Sequence, residues 1–170
     1  MTKYRVVRWL AYTLEIVAVF VLQETPGLIP AVGGARPVAV VPAVLSIAMF
    51  EDENPAMVFG LLGGLLFDFG FGSMLGFHGL ILAVVCRWVS HMVSDLFRTN
   101  FFTSLMLNAS VCFLLAMLQW ACFYVLPGYR EAGYALTAHY LPIALYTAAL
   151  TPVTYYFNRA LATQVREKEG

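Results

Sequence analysis

The chain has 170 residues, 61% of them hydrophobic and 12% charged, and its mean hydropathy is +0.76. A soluble domain carries charge on about a quarter of its residues, so this composition excludes a water-soluble protein and describes an integral membrane protein of one domain. Ten basic and ten acidic residues cancel, which removes the electrostatic case for nucleic acid or a strongly anionic partner.

Lys3, Arg5 and Arg8 precede the first apolar run. Taken over residues 6–23, that run approaches the roughly 20 residues a crossing needs. No A-x-A cleavage site follows, so a first transmembrane helix is expected rather than a signal peptide. Glu15 sits near its middle, where an unpaired carboxylate costs about 2.5–3.5 kcal/mol to insert, so it is expected to face the bundle. Residues 23–37 hold three prolines and three glycines and form a loop. Residues 38–50 follow as a second helix of about 20 Å, short of the roughly 30 Å hydrocarbon layer. It either begins inside the loop or has its ends sheltered by neighbours. The acidic stretch 51–55 is expected as a turn in water, with Asn54 capping the next helix and Pro55 at its first position.

Residues 55–79 carry the most distinctive pattern. Ala56, Gly60 and Gly64 recur at steps of four, Asp68 stands one step further, and Gly72 and Gly76 continue the spacing. In water an interior glycine weakens a helix by about 1 kcal/mol relative to alanine. In lipid, small residues let two backbones approach. A third helix over 56–69, a break at Gly70-Phe71-Gly72-Ser73 and a fourth helix over 74–89 make this the expected central hairpin. Its small-residue face either packs within the bundle or receives a partner's helix.

A polar connection with His91, Asp95 and Arg98 is expected over 90–100. The fifth helix spans 101–126 and carries Ser104, Asn108 and Cys112 as a polar seam. Pro127 and Gly128 end it. The sixth spans 136–157, kinked at Pro142 and Pro152, before a charged tail over 159–170. Six crossings put Lys3, Arg5, Arg8, Arg98, Arg159, Arg166 and Lys168 on one side with Arg87 nearby, and leave Arg36 and Arg130 opposite. Both termini are then cytoplasmic. A five-helix plan would expose the basic tail outside, which the same rule disfavours.

The polar groups at membrane depth are Glu15, Asp68, His78, Asn108, Gln119 and His139, and none has the spacing of a metal, nucleophile or phosphate motif. No catalytic, cofactor or metal residue is assigned. Glu15 and Asp68 either order the bundle through interhelical hydrogen bonds or bind a solute or partner helix. His78 and His139 read as satisfied interior or interfacial side chains. Trp88, Trp120, Tyr124, Tyr155 and Tyr156 read as an interfacial belt. Cys86, Cys112 and Cys122 lack CxxC spacing and read as packing residues.

The order Ile29-Pro30, Gly34-Ala35-Arg36-Pro37, a short helix, Gly60 through Asp68 as GLLGGLLFD, then Gly72-Ser73-Met74-Leu75-Gly76, resembles the rod shape-determining protein MreD family over residues 29–79. The resemblance implies an all-α fold of six transmembrane helices, similar to the substrate-binding subunit of energy-coupling-factor transporters. It also implies a non-enzymatic scaffold of the bacterial cell-elongation machinery in the inner membrane. Its partners there are MreC, a RodA-type glycosyltransferase with a class B penicillin-binding protein, and the MreB filament indirectly. Arg36, Pro37, Gly64, Asp68 and Gly76 are the family-matching positions; Gly60 and Glu15 join them as structural or partner-binding candidates. The other reading is a solute-binding transport subunit, with Glu15, Asp68, Asn108 and His139 lining a cavity.

Overall fold

The computed structural model describes residues 3–31, 34–71, 75–95, 100–130 and 132–166. Its regular elements are helices: α1 (Lys3–Glu24), α2 (Val40–Ala48), α3 (Glu53–Phe71), α4 (Phe77–Asp95) and α5 (Phe101–Trp120), the last continuing as a π-helical turn (Ala121–Val125). Then follow α6 (Ala132–Ala135), a second π turn (Leu136–Tyr140), α7 (Leu141–Ala149) and α8 (Thr151–Arg166). Contacts between helices give their relative directions, and α7 and α8 follow one another in the same direction. Arg8 meets Glu51 while Gln23 reaches the Val40 amide, so α1 and α2 run antiparallel. Ser46 meets Thr154 and the Val38 amide meets Thr147, so α2 runs parallel to α7 and α8.

Three helical segments, Arg5–Glu24, Phe77–Ser94 and Phe101–Val125, are long and apolar enough to cross a membrane. The distribution of side chains fits lipid as the solvent. Leu10, Leu14, Leu80, Val84 and Leu114 point outward, while Glu15, Asp68, Ser104, Asn108 and Asn158 are buried. A soluble protein shows the reverse. This is an all-helical membrane protein.

The centre of the bundle is α2, not the 55–79 hairpin. All nine residues of α2 are buried, and it packs against α1, α3, α4, α5, α7 and α8. A helix apolar on every side has no face to give to solvent. At about 1.5 Å per residue it is only about 14 Å long, and neighbouring helices shelter both ends. The α3–α4 pair flanks it, and leaves Val58, Leu61, Leu62 and Leu65 exposed on its far side.

Element ends differ from expectation for local reasons. Helix α3 begins at Glu53, so Asn54 and Pro55 lie inside its first turn, where a missing amide proton on proline costs nothing. Helix α4 continues to Asp95 through the stretch expected as a polar connection. Helix α8 carries the helical conformation through Arg159 to Arg166, because Leu161 and Ala162 still pack against the core. Pro142 has no amide proton for the carbonyl four residues back; a π turn precedes it, and at Pro152 the helix is interrupted at Leu150. Tyr155 is fully buried against Phe50, Phe101 and Tyr156 and belongs to the core rather than to an interfacial belt. Gly72, Ser73, Arg98, Lys168 and the end of the charged tail lie outside the described residues.

Candidate functional site

The small-residue face of α3 is occupied by α4. A Cβ on Gly60 would lie 2.5 Å from the Leu82 carbonyl oxygen and 2.9 Å from the Cys86 side chain. On Gly64 it would lie 2.5 Å from the His78 carbonyl oxygen and 2.6–2.7 Å from the Gly79 backbone. Ala56, one turn earlier, is fully buried. On another face, Gly63 admits the Val44 side chain of α2. The glycines therefore let α3 approach two neighbours at backbone distance, which is the packing that substitutes for hydrophobic drive between helices in lipid.

Asp68 lies at the end of this seam. Its carboxylate accepts from the backbone N–H groups of Gly76 at 2.9 Å, His78 at 3.1 Å and Gly79 at 3.3 Å. These are amides at the start of α4, which have no partner within their own helix. The carboxylate thus caps a helix other than its own, where the aligned peptide dipoles favour negative charge. Gly76 makes the geometry possible: its φ of +95° lies in the region open to glycine at no steric cost. His78 Nδ1 lies 2.5 Å from Asp68 Oδ1, and His78 Nε2 lies 2.8 Å from the Gln119 amide nitrogen. With Gln119 donating to Nε2, the ring proton sits on Nδ1 and is given to Asp68. Phe67 and Phe77 pack edge-on against the ring at 4.4 and 5.1 Å. One chain of hydrogen bonds therefore joins α3, α4 and α5.

The opposite end of the bundle holds a second polar junction. Arg8 grips Glu51 with two contacts, Nε to Oε1 at 2.5 Å and a terminal nitrogen to Oε2 at 3.3 Å. Trp9 Nε1 adds a donor at 3.4 Å, and Ser90 donates to the Glu51 carbonyl at 2.7 Å. Glu51 is therefore buried rather than in water. Burial pushes its carboxyl up from the ordinary value, and the Arg8 guanidinium beside it draws it back. Asp52 and Glu53 stay accessible, paired with Arg5 at 3.6 Å and with Arg87 at 3.4 Å. Neither Arg8 nor Glu51 stood out in the sequence, because a basic residue ahead of an apolar run and an acidic turn both look solvated.

Between these ends, Asn158 donates to Glu15 at 2.7 Å and joins α8 to α1. Ser46 bonds Thr154, and Asn108 turns back to Ser104 on its own helix. The four polar groups imagined around a solute do not meet: Glu15 pairs with Asn158, Asp68 with His78, Asn108 with Ser104, and His139 lines an outer cleft. The interior space beside His78 and Gln119 amounts to about 40 Å³, room for about one water. Arg36 is exposed and Pro37 buried, ahead of the Val38 amide that bonds Thr147 at 3.0 Å. Among the described residues, no three His, Cys, Asp or Glu gather as a metal site. Cys86 and Cys112 are buried and free.

No curated protein and no solved structure matched the chain. The family description "rod shape-determining protein MreD" matches residues 3–163, nearly the whole length. The match takes in α1 through most of α8 and is not confined to the hairpin. The chain belongs to the rod shape-determining protein MreD family.

Proposed function

We propose that this protein is a non-catalytic membrane scaffold of the cell-elongation machinery, binding MreC and helping to organise the peptidoglycan synthases that maintain rod shape. Family membership supports a role in rod shape determination. The observation that carries the scaffold reading is the use of the interior polar groups. Asp68, His78, Gln119, Glu15, Asn158, Arg8 and Glu51 are each engaged in holding one helix to another. The interior space among these groups, beside His78 and Gln119, is about 40 Å³, below the roughly 300–1,000 Å³ of a ligand pocket, and the larger clefts open at the two ends of the molecule. The proposal includes six membrane crossings in the plan of an energy-coupling-factor substrate subunit, and both termini in the cytoplasm of the inner membrane. Affinity purification from native membranes in mild detergent tests the partner. MreC is expected to copurify, and its absence from the eluate, with the bait intact, counts decisively against the scaffold reading.

A further inference from the structure

Where α1 ends, five pieces of chain enclose a cleft of about 320 Å³: Gln23 and Glu24, the segment with Gly34, Arg36 and Pro37, Gly70 on α3, His139 on the π turn, and Ile143 on α7. This is the scale of a small-ligand pocket, and the cleft takes no part in the networks described above. Arg36 and Glu24 both line it, yet no ion pair joins them among the described residues. At the other end of the molecule Arg5, Arg8 and Arg87 each reach a carboxylate. Glu24 is laid across Gly70, where a Cβ would stand 2.6 Å from its Oε1, and it accepts from Gln23 at 3.4 Å. Arg36 is carried on a braced segment, between Gly34 at φ +82° and the Val38–Thr147 hydrogen bond. A cation and an anion therefore line one space with no ion pair between them among the described residues.

We propose that this cleft binds a zwitterionic group, its anion on Arg36 and its ammonium on Glu24. A ligand carrying both charges satisfies both residues, whereas a simple anion meets Glu24 and a simple cation meets Arg36 with repulsion. Planar guanidinium suits a carboxylate or a phosphate equally. Two sources share this chemistry: an ethanolamine phosphate headgroup of the surrounding bilayer, and a free amino-acid group in the adjacent aqueous phase.

Calorimetric titration of the full chain in lipid-free micelles separates them, using glycine, O-phosphoethanolamine, acetate and methylammonium as probes. At least one zwitterion is expected to bind about tenfold or more tightly than either singly charged probe. Binding is expected to be lost in Arg36→Ala and Glu24→Gln, and weakened in Gly70→Ala, which displaces Glu24. A response to glycine alone assigns the amino-acid source; a response to O-phosphoethanolamine, with phosphatidylethanolamine retained over phosphatidylcholine in native mass spectrometry, assigns the headgroup. Both altered charges are exposed, so circular dichroism should show folded variants. Equal binding of a singly charged probe, no binding of either zwitterion, or unchanged binding in the two charge variants overturns the proposal.

Discussion

The Asp68 carboxylate meets three backbone amides and an imidazole, all of them within eleven residues of it in sequence. An acid in an apolar helix was conspicuous from the sequence. Its partners were not, because they become neighbours only once the chain has turned and α4 has laid its first amides against the end of α3. The neutral replacement Asp68→Asn keeps one acceptor oxygen but sets its amide protons against donors. Leaving a buried donor unmatched costs about 1–3 kcal/mol, so thermal unfolding in detergent is expected to show a loss of that order. An unchanged melting temperature would mean that the cap contributes little. Glu15 follows the same logic over a longer span, since its partner Asn158 is 143 residues away. The burial of Glu51 is hidden in the sequence for the same reason: the Arg8 that makes it tolerable belongs to another helix.

At the scale of elements, spacing by four located the close face of α3, but only packing decided what fills it. The face is used inside the bundle against α4, so a partner helix has no place there. Gly64→Leu is therefore expected to damage the protein more than Leu65→Ala. The first drives a side chain into the His78 and Gly79 backbone, which cannot retreat like the tip of a flexible side chain. The second trims a residue that is 36% exposed on the lipid side. Comparing membrane abundance and monodispersity in size-exclusion chromatography checks this, and equal behaviour of the two variants would contradict it. Helix α2 shows the limit of length as a signal. Thirteen apolar residues looked too short to cross alone; surrounded on all sides, the nine that form the helix become the core.

For the whole molecule, α5 starts beside Phe50 and Tyr155 and runs away from them, which puts the 51–53 connection and the 126–130 connection at opposite ends. If both termini are cytoplasmic, Asp52→Cys should react with a membrane-impermeant maleimide only after cells are broken, and Tyr129→Cys in intact cells. Both sites are exposed. The reverse labelling pattern would invert the topology, and labelling of both in intact cells would refute it. Composition and hydropathy by themselves determined that this is a helical membrane protein and roughly where its helices lie, because both depend on the local sum of transfer free energies. The resemblance in the 29–79 segment was legible too, since it rests on residues in order. Only the tertiary structure decided which helix is central, that the glycine face is spent on α4, that Arg8 and Glu51 pair, and that Asp68 caps a neighbouring helix. Each of these depends on which groups meet between helices, whether the partners lie eleven residues apart, as at Asp68, or forty-three, as for Arg8 and Glu51, and packing alone fixes that.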